Sequence, residues 1–432
     1  MRKFKKKRLM ALVLLLIVGC IIGVGVRYSI LHTKKHNNSN NHMAIYVPND
    51  NGEVFQLSNL QKIPEGYRLN VEETNAHCSD GLTASWDDTT KTVSINATKS
   101  GGCNLYLEKE KITMANYIKE EVYGTDTTLY LHSDTATGNN ETSIANWTDA
   151  ESGNANDGAY RYSGPDASVH NYICFGTSDK DTCLNDTNDN GNSKYLFRII
   201  SVEGDNVKLI KALPLYNTKT SAATFGWDYE GSTDTSTYSN SWSKPSTLKE
   251  YLNTGTSSRA NYSSNYPDTG YLQSWSSDWQ SKIADNMTWY IGGYSNYSVK
   301  IKTFYNAEHG TCSSGTCPGT TDTSTRVGLM NVYDYGYAAA PTSWTIDTLG
   351  NYNNSTIKTS NWLYRSTNSS TEWTITPYSF IAYRVFGVNS TGFVGNSNAS
   401  YGYYAVRPVF YLTSNVAYKS GTGTSTDPFL VS

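Results

Sequence analysis

The chain has 432 residues, enough for two or three domains, and charged residues make up only 17% of it. Nine of the 35 Lys and Arg residues lie in residues 1–35, which hold no acid, so the remainder carries a net charge of −12. This acidic remainder excludes nucleic acid as an expected partner, because nucleic acid is bound through basic patches. The 34 Tyr and 10 Trp recur along the whole length, which excludes a disordered chain and favours a β-rich extracellular protein.

The N-terminus combines a basic cluster with an apolar run. Six Lys and Arg residues at positions 2–8 precede an apolar segment from Leu9 to Val26. As a helix rising about 1.5 Å per residue, this segment spans a thin bilayer core, and the basic cluster favours a cytoplasmic N-terminus. We therefore predict a cytoplasmic basic segment at 1–8 and a transmembrane signal anchor at 9–26 in the cytoplasmic membrane. The C-terminal ectodomain then lies outside the cell.

Two alternatives also place the chain outside. Ile17-Val18-Gly19-Cys20 resembles a bacterial lipoprotein cleavage box, in which Cys20 would be lipidated. The apolar residues that continue after Cys20 disfavour this interpretation. A secretory signal peptide would be cleaved after a small-residue site, and none follows the run.

A small β-domain is predicted after a tether. Residues 27–50 form a polar tether, because their His, Lys and Asn side chains cannot bury a core. Residues 51–109 have the pattern of short strands, with a hairpin at 82–95. Residues 110–124 follow as a linking helix with apolar side chains on one face.

Residues 125–432 are predicted to form one larger α+β domain rich in strands. The clearest hairpin joins Tyr195–Val202 to Val207–Ile210 through a turn that contains glycine. Two short helices are expected, at Pro245–Asn253, which begins with proline, and at Tyr271–Asp285, where apolar side chains recur at helical spacing.

Six cysteines lie beyond Cys20. An even number outside the cell predicts disulfides, and six cysteines allow fifteen pairings. Proximity in the sequence favours three of them: Cys78–Cys103, Cys174–Cys183 and Cys312–Cys317. No Cys-x-x-Cys pair or clustered His accompanies them, so we predict no metal site and no cofactor.

Several strings carry a resemblance to known proteins. The clearest are Tyr160–Gly164, Trp362–Arg365 and the ending Ala405–Leu412 with Gly421–Thr424. They are similar to uncharacterised N-terminally anchored surface proteins of anaerobic Gram-positive bacteria. The Trp-Leu-x-Arg segment, followed by a Val-Arg-Pro strand, also resembles the C-type-lectin-like fold of sulfatase-modifying-factor domains. The resemblance implies a twisted mixed sheet, two helices and long irregular loops, so the larger domain is expected to be C-type-lectin-like.

No catalytic arrangement is evident. Ser-His-Asp catalysis needs a positioned histidine, and no nucleophile elbow accompanies the ectodomain histidines His77, His132, His170 and His309. The chain is therefore predicted not to be an enzyme. The spacing of Cys312 and Cys317 matches the cysteine pair of formylglycine-generating enzymes, so an extracellular modifying enzyme stays as an alternative. A purely structural envelope protein is the third hypothesis.

The favoured hypothesis is a cell-surface binding or adhesion protein whose ligand is a glycan, an envelope component or a surface protein. Aromatic faces and amide side chains suit sugars, and such residues recur where a lectin-like fold places its loops. Tyr364, Arg365 and Tyr378 are predicted to bind the ligand, and Tyr383 and Tyr403 lie in the same region. The neighbouring Trp362 and Trp373 are expected in the core.

Overall fold

The computed structural model describes residues 43–48, 54–57, 63–64, 66–87, 89–134, 153–228, 240–258, 262–310, 321–365 and 371–432. Contacts within the chain divide it into two compact units, with the boundary between Lys111 and Ile112. The predicted basic segment 1–8, the predicted span 9–26 and the predicted cysteine pair Cys312–Cys317 lie outside the described residues.

The first unit is a small sheet with one helix and a separate hairpin. Its elements are β1 (Met43–Pro48), β2 (Val54–Leu57), β3 (Tyr67–Leu69), α1 (Val71–Ala76), β4 (Leu82–Asp87), β5 (Thr92–Ala97) and β6 (Cys103–Lys109). The sheet order is β2-β1-β6-β3, and β1 runs parallel to β6. The predicted hairpin at 82–95 is confirmed as β4 and β5. Strand β1 lies within the segment predicted as a polar tether, 27–50.

An alternating pattern of buried side chains and a disulfide stabilise the first unit. In β6, Cys103, Leu105 and Leu107 are buried while the residues between them are half-buried, as expected for a strand with one face on a core. Helix α1 begins where the side chain of Asn70 accepts a hydrogen bond from the N–H of Glu73 at 3.0 Å. The disulfide Cys78–Cys103 then joins the end of this helix to β6, which confirms the first predicted pair.

The second unit begins at Ile112 and is also rich in strands. Its strands are β7 (Leu129–Leu131), β8 (Tyr160–Tyr162), β9 (Tyr172–Cys174), β10 (Leu196–Glu203), β11 (Asn206–Lys211), β12 (Trp289–Tyr290), β13 (Thr321–Asp322), β14 (Val327–Gly328), β15 (Glu372–Pro377), β16 (Arg384–Val388), β17 (Val394–Asn398), β18 (Val409–Tyr411), β19 (Tyr418–Ser420) and β20 (Leu430–Val431).

Short helices connect these strands. They are α2 (Met114–Tyr117), α3 (Lys180–Asn185), α4 (Thr247–Asn253), α5 (Tyr262–Asn265), α6 (Ser277–Gln280), α7 (Ile301–His309), α8 (Val332–Tyr337), α9 (Thr342–Ile346) and α10 (Ser355–Thr359). A π-helical turn at Ile118–Val122 continues α2, and 3₁₀ turns lie at Asp166–Ser168, Leu272–Ser274 and Leu349–Asn351.

The central sheet has the order β14-β18-β11-β10-β8-β7, and β9 pairs with β10. The hairpin of β10 and β11 is confirmed, and Gly204 in its turn has φ +58°, a conformation that glycine adopts without steric cost. All six consecutive residues 197–202 of β10 are buried, so both faces of this strand are covered. A second disulfide, Cys174–Cys183, joins β9 to α3 and confirms the second predicted pair.

The predicted fold class is wrong in two respects, although the second unit is α+β. No helix in the described part of the chain is long and apolar enough to cross a membrane. The described residues of the second unit form nine short α-helices, where the sequence and the lectin-like resemblance indicated two. The prediction missed them because none exceeds nine residues, too short for a sustained periodic pattern.

One of the two predicted helices is confirmed and the other is interrupted. Helix α4 forms over Thr247–Asn253, where the sequence predicted Pro245–Asn253, and Ser246 caps it. The predicted helix Tyr271–Asp285 breaks at Trp275, which is extended with ψ 150°. The ring of Trp275 is buried against Phe175, with centroids 5.3 Å apart. Tertiary packing of this ring therefore overrides the helical periodicity.

The predicted linking helix 110–124 belongs to the second unit. Helix α2 begins only at Met114, where the hydroxyl of Thr113 accepts the N–H of Asn116 at 3.2 Å. The N–H of Met114 donates to the carbonyl of Val416 at 2.8 Å. This hydrogen bond joins the helix to the C-terminal part of the same unit.

Two buried ion pairs lie in the second unit. Lys208 and Asp334 are fully buried with 2.9 Å between Nζ and Oδ2, and Arg161 binds Asp157 through two hydrogen bonds of 2.8 and 2.6 Å. Three tyrosine rings surround the Arg161 guanidinium, each with its centroid within 6 Å. Because their charges are matched inside the core, these residues serve the fold and leave no free charge for a ligand.

Candidate ligand-binding surface

Two loops meet at one end of the three-stranded sheet β15-β16-β17. Strand β16 begins at Arg384 and β17 ends at Asn398, and these two residues are direct partners in the antiparallel pair. The loop before β16 and the loop after β17 therefore lie side by side. The carbonyl of Tyr383 accepts the N–H of Ala399 at 2.9 Å and joins them. We call residues 378–383 and 399–404 the aromatic loops.

The aromatic loops expose large rings. Phe380 is 70% exposed, Tyr403 74% and Tyr401 47%. Within the described ranges, five large apolar side chains are exposed, and these three are among them. Most other aromatic side chains of the second unit, including Trp362 and Trp373 as predicted, are buried. Clustered apolar exposure on an otherwise well-packed protein is typical of an interaction surface.

The buried side chain of Asn240 holds the first aromatic loop, residues 378–383, in place. Its amide nitrogen lies 3.0, 3.1 and 2.8 Å from the carbonyl oxygens of Tyr378, Ile381 and Arg384. Its backbone N–H donates to the carbonyl of Ala382 at 2.8 Å. The two side-chain N–H groups are shared among three carbonyls and the backbone N–H serves a fourth, so this one residue fixes the backbone that carries Phe380.

The second aromatic loop is fixed from a different side. The carbonyl of Ala399 accepts the N–H groups of Trp227 and Asp228 at 2.9 and 3.0 Å. The ring of Tyr404 packs on the buried ring of Trp373, with centroids 4.3 Å apart. The exposed tyrosines of this loop therefore stand on an ordered backbone, and a ligand would find them already positioned.

A guanidinium group lies beside the loops. The Nε of Arg384 donates to the side-chain oxygen of Asn398 at 3.3 Å, and its Nη1 donates to that of Asn396 at 3.1 Å. These residues share one face of the sheet with Phe386, because alternate residues of a strand and their cross-strand partners point to the same side. The surface therefore offers amide and guanidinium groups as well as rings.

Ring contacts connect Phe386, on the same face as Arg384, to the exposed ring of Phe380. The ring of Phe386 packs edge-on against Tyr378 at 5.5 Å, and Tyr378 lies 6.4 Å from Phe380. The predicted ligand-binding residue Tyr378 thus lies within the surface, half-buried beneath its exposed ring.

The structure places the other two predicted residues elsewhere. The hydroxyl of Tyr364 donates to the carbonyl of Ser390, in the turn at the opposite end of β16. Since a strand rises about 3.3 Å per residue, this turn lies roughly 15 Å from the aromatic loops. Arg365 donates to the carbonyl of Ala212, and burial, with a smaller contribution from the charge of Arg407, lowers its pKa to about 10. Tyr364 and Arg365 therefore do not join Tyr378 in one site.

Sequence reasoning missed Phe380, Tyr401, Arg384 and Asn240. The sequence pointed to Tyr383 and Tyr403, which lie in the aromatic loops. It does not indicate which rings are exposed, because aromatic residues occur throughout the chain. An exposed Phe beside a proline-ended strand, in Thr376-Pro377-Tyr378-Ser379-Phe380, is the one local hint.

The second unit also contains a cavity. A cavity of about 340 Å³ is lined by residues that include Tyr117, Glu121, Asp126, His170 and Phe429. The ring of Tyr117 stacks on Tyr418, with centroids 3.5 Å apart, and meets Phe429 edge-on. Because these rings pack against one another, the cavity presents less free aromatic surface than the loops do.

Two histidines considered for catalysis serve the core. The Nδ1 of His132 accepts the N–H of Ala155 at 3.1 Å, and burial holds the pKa of His132 well below its usual range. Burial also lowers the pKa of His309 to about 4, and its ring packs between Tyr290 and Tyr305. No group of three His, Cys, Asp or Glu side chains in the described ranges is arranged to hold a metal ion.

Comparison with known proteins gives no match: no family model, no curated protein and no solved structure matches this chain. The resemblance to anchored surface proteins stays a prediction. The function is therefore argued from the geometry of the aromatic loops.

Proposed function

We propose that this protein is a cell-surface binding protein whose aromatic loops hold a glycan. The observation that carries the proposal is the exposure of Phe380, Tyr401 and Tyr403 on two adjacent loops with fixed backbones. Burying such rings in a core would be favourable by about 2 kcal/mol each, so their exposure on ordered loops favours a binding role.

The chemistry of the surface suits a sugar. A sugar ring has an apolar face that packs on aromatic rings and hydroxyl groups that hydrogen-bond to amides and guanidinium groups. The aromatic loops offer the rings, and Arg384, Asn396 and Asn398 offer the polar groups next to them. Fixed loops reduce the entropy lost on binding, which favours a small ligand with few contacts.

The cell-surface location belongs to the same proposal. It rests on the basic and apolar N-terminal sequence, and the acidic charge of the remainder is consistent with an exterior surface. A structural envelope protein, the competing hypothesis, would use the same rings for self-association, so it predicts oligomers and no glycan binding.

The test measures binding of the purified full chain, in detergent, to an array of envelope polysaccharides and host glycans. Phe380→Ala with Tyr403→Ala should weaken binding to the best glycan roughly tenfold or more, equivalent to about 1.4 kcal/mol. Ile346→Ala is the matched control, because Ile346 is 73% exposed and lies outside the aromatic loops. A wild-type chain that binds no glycan, or a double variant that binds as tightly as the control, contradicts the proposal.

A further inference from the structure

We infer that the ligand of the aromatic loops is an anionic sugar, one that carries a carboxylate or a sulfate group, and that Arg384 binds this group. The inference rests on the proposed function, since it names the ligand class of the same surface. The observation behind it is which arginines form ion pairs with carboxylates and which do not.

Five described arginines each form an ion pair with a carboxylate. The pairs are Arg68–Glu108, Arg161–Asp157, Arg198–Asp166, Arg326–Asp285 and Arg407–Glu372. Arg365 and Arg384 have no carboxylate at ion-pair distance among the residues that the structure describes. Arg365 donates to the backbone carbonyl of Ala212, which follows β11 of the central sheet. Arg384 therefore carries the unpaired guanidinium next to the aromatic loops.

The partners of Arg384 hold it without neutralising its charge. A guanidinium has five N–H donors, and the amide oxygens of Asn396 and Asn398 occupy two of them. The other three have no acceptor within the described part of the chain. A planar guanidinium that is held in one orientation and has free N–H donors matches the paired oxygens of a carboxylate or sulfate.

The backbone hydrogen bonds of Arg384 place its guanidinium next to the loop that carries the exposed ring of Phe380. Its N–H donates to the carbonyl of Ile381 at 3.0 Å, and its carbonyl accepts the N–H of Tyr378 at 2.9 Å, so it closes the turn that carries Phe380. The cross-strand partner Asn398 leads directly into the second aromatic loop. A sugar ring packed on the loops would therefore present its substituents to the guanidinium.

The net charge of the chain shows why a local cation is needed to bind an anionic sugar. Residues beyond 35 carry a net charge of −12, so the long-range field repels an anion and the attraction has to come from a local cation. Salt screens both this repulsion and the local attraction, so charged and neutral sugars have to be compared at one fixed salt concentration.

The experiment compares matched oligosaccharides on the full chain by calorimetry. One pair differs only in a carboxylate against its reduced alcohol, and the other only in a sulfate against a hydroxyl. We expect the wild type to prefer one charged member at least tenfold. Arg384→Gln should abolish this preference, because binding of the charged member falls at least tenfold while binding of the neutral member falls much less. Arg384→Lys should retain part of the preference. Arg365→Gln is the control and should retain all of it.

The outcomes separate the inference from the function on which it rests. Equal binding of charged and neutral members by the wild type overturns the inference and leaves the glycan proposal standing. An Arg384→Gln chain that keeps the charge preference also overturns it, and so does one that loses charged and neutral binding equally. Absence of binding to every probe overturns both. The pair that shows the preference identifies the anionic group.

Discussion

Asn240 should control the stability of the first aromatic loop, although it contributes no ring to the surface. Its side-chain amide faces the carbonyls of Tyr378, Ile381 and Arg384, and it is 1% exposed. Asn240→Ala leaves these three carbonyls without that donor. It should therefore destabilise the fold and also weaken glycan binding, because Phe380 would then stand on a loosened loop.

The magnitude follows from the number of donors. One amide group has two N–H groups, so at most two full hydrogen bonds are lost, each worth about 0.5–1.5 kcal/mol net. Each of the three carbonyls also accepts a backbone N–H, so none is left without a donor and no full desolvation cost is added. We therefore expect the free energy of unfolding to fall by about 1–3 kcal/mol.

Urea unfolding at neutral pH measures this change as a shift of the midpoint at constant slope. Asn240→Asp is the sharper variant, because it places an oxygen where the amide nitrogen faces three carbonyls, and it should be less stable than Asn240→Ala. Asn415→Ala, at an exposed asparagine, is the control and should change stability by less than about 0.5 kcal/mol. If Asn240→Ala resembles this control, or if Asn240→Asp equals Asn240→Ala, the amide does not hold the loop.

Two further predictions concern the core of the second unit. Burial lowers the pKa of His309 to about 4 from 6.5, so the folded state binds its proton less tightly than the unfolded state. Stability should therefore fall as pH drops from about 6.5 to 4, by at most about 3 kcal/mol from this group, and His309→Phe should flatten that slope in unfolding titrations. An unchanged slope would contradict the assignment. Replacing Cys174 and Cys183 by serine should lower the free energy of unfolding by about 2–3 kcal/mol, since their bond closes a loop with a sequence separation of 9. Reducing agent should destabilise the second unit of the wild type, whereas in the double variant only the Cys78–Cys103 bond of the first unit is left to reduce.

The sequence by itself determined features whose cause is local. The hairpin of β10 and β11 follows from two apolar strands around a turn that contains Gly204, and helix α4 follows from its Ser246 cap and apolar spacing. The disulfides Cys78–Cys103 and Cys174–Cys183 follow from short separations that bring cysteines together in almost any compact fold. In each case the information lies within a few tens of residues.

The tertiary structure alone decided which residues form the candidate site. Tyr378 was predicted, but Tyr364 contacts the turn at the other end of β16 and Arg365 contacts Ala212 after β11. Phe380 gives no local sign that it stays exposed. Asn240 holds the first loop from 138 to 144 residues away in sequence. The break at Trp275 has the same origin, since its ring packs on Phe175, far away in sequence. Exposure, loop order and unpaired charge depend on contacts between distant segments, and periodicity and spacing along the chain do not encode these contacts.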